Sequence, residues 1–387
     1  MTPGARVQAA IECLERILDR VPAEKALTGW ARGARYAGSK DRAAVRDHVY
    51  DVLRQKRLCA LRGGREDARA LMIGLVRVQG GDLPALFNGQ GHAPAPLSES
   101  EEMAGDLAVA APPELPEWLL PALRDQFGEG LQDELDQLCQ RAEVFLRVNL
   151  RKSDVPTARA MLAEDGVKAE AFSLALAALR VVEGPRRIRN SKAYQQGHVE
   201  LQDAASQAAM ELIELAKCSK ILDYCAGGGG KTLALAGRED ARFFAYDANV
   251  QRMHDLPIRA KRAGVTVQIL QEKSLRKFVP YDLVLCDVPC SGSGTWRRDP
   301  DAKWRFTREK LNDLNEVQSE ILDRAAPLVA QGGTLVYATC SLLAEENEHQ
   351  IAAFLARHPD WRVTLQKRWS LVDGADGFFS AHLRLED

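Results

Sequence analysis

Apolar positions in the first 78 residues recur at three- and four-residue spacing, most clearly in VQAAIECLERIL and AAVRDHVYDVLRQKRLCAL. That is the period of an amphipathic helix. The pattern predicts a helical module from Arg6 to about Val78, with Ser39 as N-cap of the helix that carries DRAAVRDHVYDVL. QGGDLPALFNGQGHAPAPLSESEE gathers Gly, Pro and Ser and predicts an irregular connection. Two helices separated near Gly128 or Gly130 follow. The period then changes. VFLRVNL, VKAEAFS and ALRVVEG have the look of strands and VPTARAMLAEDG that of a helix, a small α/β unit over about 143–185.

From about Val199 strands and helices alternate, which predicts a doubly wound sheet. The strands are KILDY, ARFFAYD, VTVQIL, YDLVLCDVP, GTLVYATCS and, last, GFFSAHLRL. Ligands of open α/β sheets sit at the carboxyl ends of strands. The candidates there are the glycine loop of DYCAGGGGKT, Asp247, the stretch Asp287 to Cys290, and Thr339-Cys340.

Composition narrows the class. A chain of 387 residues with 46% hydrophobic content has room for two or three ordinary cores. No run approaches the ~18 apolar residues of a membrane span, and the charged N-terminus lacks the apolar region of a signal peptide. Eight cysteines without a C-x-x-C pair point to a reducing cytoplasm. Cys286 and Cys290 lack a second ligand pair, so no metal is expected. The net charge of −2 hides a split: residues 1–60 carry 12 Lys/Arg against 7 Asp/Glu, and residues 95–143 carry 2 against 12. The split argues for separate modules, the basic one with a polyanion as partner. From charge alone, a solvated helix face explains the basic residues equally simply.

The glycine loop does not cradle phosphates. A G-x-x-x-x-G-K-[ST] loop ending in Gly230-Lys231-Thr232 needs glycine at 225, where Cys225 stands. A G-x-G-x-x-G loop through Gly227 and Gly229 would need its third glycine at Thr232. The loop Cys225, Ala226, Gly227, Gly228, Gly229, Gly230 and Lys231, with Asp247 ending the next strand to grip ribose hydroxyls, suits NAD or S-adenosylmethionine. Two cysteines ending two strands of the same sheet, Cys290 in Pro-Cys-Ser-Gly and Cys340 in Thr-Cys-Ser, break the tie.

These residues resemble the cytosine-C5 RNA methyltransferase family, in its bacterial 16S ribosomal RNA (Fmu/Sun) type. The family motif D-x-C-A-A-P-G-G-K-T appears here as DYCAGGGGKT, with Gly227 and Gly228 in place of Ala-Pro. Asp287–Gly292, WRRDPDAKW, Thr339-Cys340-Ser341 with Glu345-Glu346-Asn347-Glu348, LRVNLRK, GHVELQDAASQ and DGFFSAHL are similar to further family stretches. The resemblance covers about 112–387, and the N-terminal helices resemble the NusB-like RNA-binding domain of bacterial members. It implies S-adenosylmethionine as cofactor, Cys340 as nucleophile at cytosine C6, and Cys290 assisting breakdown of the adduct. Asp287 would serve the base edge and the cofactor site. Lys231 either supports the same electrostatics or caps the loop. Two departures stand out: the lost proline should loosen the loop, and Glu272 or Lys273 falls where the family carries an acid near the adenine.

Arg297, Arg298, Lys303 and Arg305, interleaved with Trp296 and Trp304, are expected to track single-stranded RNA through phosphate contacts and stacking. The expected organisation is a helical NusB-like domain over 1–78 and a connection over 79–114. Helices plus a small α/β subdomain follow over 115–198, then a doubly wound class I methyltransferase (Rossmann-like) domain over 199–387. The expected protein is a cytoplasmic monomer whose partner is RNA, ribosomal rather than transfer RNA. The rival readings are a transfer RNA or DNA cytosine methyltransferase and a non-catalytic RNA-binding module.

Overall fold

The computed structural model describes residues 1–105, 109–216 and 218–386. Residues 106–108, within the expected connection, and Lys217 and Asp387, within the expected catalytic domain, lie outside the described residues. The chain forms two compact units. One is Met1–Arg141 with Trp296–Arg305, the other Ala142–Thr295 with Phe306–Asp387.

The N-terminal unit is all helix. Pro3–Leu18, Ala23–Gly33, Ser39–Arg54, Lys56–Gly63 and Ala68–Val78 follow the predicted period. Asp67 caps the last of these by accepting the Ala70 N–H at 3.0 Å. ALMIGLV in that helix is buried all round, so it forms the centre of a core with Val7, Leu14, Val49 and Val52. Ser39 is the first helical residue rather than the cap. Gly38 precedes the helix, and its N–H goes to the Asp41 carboxylate at 3.1 Å.

The expected connection is packed structure. It contains the short helices Leu83–Leu86 and Glu99–Met103, and Phe87 joins the helical core. The charge split does not mark separate modules either. Glu101 accepts from Arg69 Nε at 2.8 Å, and Arg57 pairs with Glu117 at 2.6 Å. Buried Glu114 takes the N–H groups of Arg57 and Leu58 at 3.1 and 2.7 Å. The acidic stretch neutralises the basic helices inside one unit, so boundaries at 78 and 114 would cut through its hydrogen bonds. Helices Leu120–Phe127 and Leu131–Cys139, divided at Gly128–Gly130, belong to this unit too.

In the C-terminal unit, β1 (Val144–Val148), β2 (Lys168–Ala171), β3 (Ala178–Glu183) and β4 (Val199–Leu201) make an antiparallel sheet of order β2-β3-β1-β4. β4 pairs with β1, Val199 opposite Val148. A boundary at 198/199 therefore detaches β4 from its own sheet.

The second sheet has seven strands: β5 (Lys220–Asp223), β6 (Arg242–Ala245), β7 (Val267–Ile269), β8 (Tyr281–Asp287), β9 (Val329–Thr339), β10 (Trp361–Trp369) and β11 (Phe378–Leu385). Their order is β10-β11-β9-β8-β5-β6-β7, with β5 to β9 parallel, β11 antiparallel to β9 and β10 antiparallel to β11. β8 is buried on both faces, which explains its unbroken apolar run. The order reverses between β5 and β8. The carboxyl ends of these strands therefore open at a topological switch point, where such sheets bind ligands.

Candidate active site

Four strand ends build the site. β5 leads through the glycine loop into the helix Gly230–Ala236. Gly227 and Gly229 have φ of 49° and 77°, and a Cβ on Gly229 would lie 2.2 Å from Leu256 Cδ1. Only glycine fits there. The loop is tied down by Ala226 N–H to Tyr246 O at 2.9 Å and Gly227 N–H to Asp247 Oδ2 at 2.9 Å. Asp247, just past the end of β6, also accepts the Asn249 N–H at 2.9 Å, and Arg252 lies 3.2 Å from it.

At the end of β8, Asp287 accepts from Lys231 Nζ at 2.6 Å, and the ammonium also lies 5.1 Å from the ring centre of Phe378. Burial would lower Lys231, but the Asp287 carboxylate outweighs it and raises the ammonium above its ordinary value. Asp223, which ends β5, accepts from Thr232 Oγ1 at 2.6 Å. Its burial, with the Asp287 charge beyond it, pushes this carboxyl up to about 7.

The two cysteines meet. Cys290 Sγ and Cys340 Sγ are 3.5 Å apart, within hydrogen-bond reach for sulfur. The hydrogen bond with Cys340 and then burial hold the Cys290 thiol well above its ordinary value. What aligns the loops is a residue to which sequence reasoning gave no role. Glu346, fully buried, accepts from Ser291 N–H at 2.8 Å, from the Ser291 hydroxyl, from Ser341 Oγ at 2.5 Å and from Gln318 Nε2 at 3.0 Å. Ser291 follows Cys290 and Ser341 follows Cys340, so one carboxyl group clamps both cysteine loops. Tyr337 OH donates to the Glu346 carbonyl at 2.6 Å, and Thr339 Oγ1 donates to Asn347 Oδ1 at 2.5 Å. Gln318 carries the one legible signal, a polar residue on the buried stripe Leu311, Gln318, Leu322, Ala325 of the helix Arg308–Ala325.

The proposed RNA track is divided. Arg298 and Arg305 are exposed, but Arg297 and Lys303 are buried. Lys303 Nζ donates to Arg54 O at 3.2 Å, and Trp304 Nε1 donates to Leu53 O at 2.6 Å. Arg297 O accepts from Arg54 Nε at 3.0 Å. This segment is part of the helical unit, and burial removes Arg297 and Lys303 from any phosphate. Glu272 opens the short helix after β7, and both it and Lys273 are exposed.

The chain is similar to known proteins. The family model "16S rRNA methyltransferase RsmB/F" matches residues 210–384, and that of the RsmF/B-like ferredoxin-like domain matches 115–188. The chain belongs to the RsmB/F family of methyltransferases. Ribosomal RNA small subunit methyltransferase B of Citrobacter koseri is 35% identical over 282 residues, 69% of this chain. The chain spans 66% of that relative's length, a little under two thirds. The crystal structure of PH0851 superposes with a TM-score of 0.74 at 25% identity over 99% of both chains. That of a methyltransferase homolog protein from Pyrococcus horikoshii shares the fold, with a TM-score of 0.61 at 24% identity over 70% of this chain and 95% of that one.

RsmB/F membership gives the seven-stranded sheet its class I methyltransferase fold and brings S-adenosylmethionine as methyl donor. The residues fit it. The loop is open backbone at a switch point, and the Asp247 carboxylate keeps acceptor capacity beyond the contacts it makes. No helix among the described residues is long and apolar enough to cross a membrane, and no cluster of metal-ligating side chains occurs among them.

Proposed function

We propose that the chain is an S-adenosylmethionine-dependent RNA cytosine-C5 methyltransferase acting on 16S ribosomal RNA through a covalent Cys340 adduct. The observation that carries this is the pair of sulfurs 3.5 Å apart at the ends of adjacent strands, beside the Lys231–Asp287 pair. C5 of cytosine is a weak nucleophile. Addition of the Cys340 thiolate to C6 forms a C–S bond and makes C5 electron-rich. Bound S-adenosylmethionine supplies the electrophilic methyl. Loss of the C5 proton then expels the thiolate and restores the ring.

With Cys340 bonded to C6, Cys290 lies beside the adduct and assists its breakdown. Asp287, with Lys231 beside it, is placed to bind the base edge as charge builds. In the helical unit, Trp30, Arg32, Arg42 and Arg46 line a groove of about 390 Å³, suited to phosphate contact and stacking. Arg298 and Arg305 are the remaining candidates from the expected track.

Incubation with RNA carrying 5-azacytosine, which has no C5 proton to lose, tests the reading. A covalent protein–RNA band is expected with the RNA and not with the matching DNA. A band with DNA alone, or none with 16S fragments, overturns it.

A further inference from the structure

The family motif places Ala-Pro where this chain has Gly227-Gly228, and glycines in place of a proline free the backbone. The loop is not left loose. The helix Leu256–Ala263 presents Arg259, whose Nη1 donates to the Gly228 carbonyl. Arg259 is anchored in turn: its Nε lies 3.4 Å from Glu200 Oε2 in β4, and Arg262 holds the same oxygen at 2.6 Å. Arg147 of β1 donates to the Gly230 carbonyl at 2.9 Å. Arg147 from the small sheet, and Arg259 paired with Glu200 of that sheet, thus hold the loop.

A Cβ built on residue 228 would lie 2.8 Å from Arg259 Nη1. A proline ring at 228 and the arginine in its present place exclude each other. We infer that Arg259, braced on Glu200, is a positioning residue that holds the glycine loop in its cofactor-binding shape. In the family motif, Ala-Pro does this through backbone stiffness. Gly228 and Arg259 are a matched pair, since a Cβ at 228 would have to push the guanidinium away from its place on the Gly228 carbonyl. The inference rests on the S-adenosylmethionine reading only for what the loop binds, because the brace itself is a property of the free protein.

The test compares wild type, Arg259→Ala, Glu200→Gln, Gly228→Ala, and the last combined with Arg259→Ala. S-adenosylmethionine binding is measured by calorimetry, and hydrogen exchange is followed on the peptide spanning 225–230 without ligand. Arg259→Ala should weaken binding roughly tenfold, the scale of one lost hydrogen bond to a charged group. It should also speed exchange across the loop. Glu200→Gln should shift both in the same direction by less. Gly228→Ala alone should bind less well than wild type, because its Cβ displaces the guanidinium, and adding Arg259→Ala to it should cost little more. Unchanged exchange in Arg259→Ala, or simple additivity in the combined variant, overturns the brace. A wild type that binds no S-adenosylmethionine overturns the cofactor reading, while the exchange comparison still decides the brace.

Discussion

The two halves of the site are held by different means. The cysteine half, at the ends of β8 and β9, carries stretches that resemble the family's motifs. It is fixed by a buried carboxyl group whose partners are neutral: one backbone N–H, two hydroxyls and one amide. The glycine half, at the ends of β5 and β6, departs from the motif and is fixed by arginines at the edge of solvent. A flexible guanidinium can move to suit a changed backbone. A buried network cannot, because any donor it loses is left without water. The difference explains how the glycine half accommodates its departure from the motif.

The largest effect expected is at the cysteines. Cys340→Ala should abolish both methylation and the covalent band with 5-azacytosine RNA. Cys290→Ala should still form the adduct and release it slowly, so that linked RNA accumulates with ordinary substrate. The reverse pattern would exchange the two roles.

Glu346 comes next, as the most direct challenge to the rigidity of the cysteine half. Glu346→Ala removes the acceptor of the Ser291 N–H, while the Ser291 and Ser341 hydroxyls can turn to each other or to Ser293 and Gln318 Nε2 keeps Pro289 O, so the cost is about 1–3 kcal/mol for each donor left unrelieved. Urea unfolding should show a loss of several kcal/mol at most, since water will relieve part of it. Glu346→Gln keeps the volume, and one of its two polar ends faces donors. It should stay folded and bind S-adenosylmethionine normally, yet methylate slowly. Wild-type methylation in Glu346→Gln would reduce the clamp to packing.

On the cofactor side the changes should be graded. S-adenosylmethionine should raise the melting temperature in proportion to ln(1 + [L]/Kd), and ATP should not. Asp247→Ala removes an acceptor for ribose hydroxyls and should weaken that protection about tenfold in ligand concentration. Equal protection in both proteins would reject the ribose role.

Much of this was legible in the sequence, for definable reasons. Strands whose apolar run or alternation is strong, such as YDLVLCDVP, and the cysteines at their ends could be read directly. β10 was not foreseen, although Trp361, Val363, Leu365 and Trp369 alternate as an edge strand does. β4 is not read as a strand, and the expected boundary at 198/199 parts it from its sheet, because three residues carry no pairing information. The WRRDPDAKW segment reads as a basic loop until its partners in the helical unit are known. Glu346 is one of three acids in AEENE, and periodicity cannot say which one turns inward. The Arg259–Gly228 pair lies 31 residues apart in sequence, and only the fold brings it together.

The smallest effect expected lies at the seam between the halves, at Asp223. Its carboxyl is buried under the loop and pushed up to about 7, first by burial and then by the Asp287 charge, against the Thr232 hydrogen bond. An acid raised in the folded state binds its proton more tightly there than in the unfolded chain, where an aspartate titrates near ~3.9. Its contribution is therefore fully present below ~4 and is lost as pH rises through about 7. Between those values the folded protein holds a proton that the unfolded chain has released, so stability should decline with rising pH. Asp223→Asn cannot titrate and should flatten that part of the profile, while the amide still accepts from Thr232 through its oxygen. Urea midpoints at pH 5, 6, 7 and 8 for the two proteins isolate the contribution, since every other group is shared. If the two profiles run parallel, Asp223 is ionised throughout. The seam would then be a charged trio with Lys231 and Asp287, and the cofactor half would be built on buried charge as well as on surface arginines.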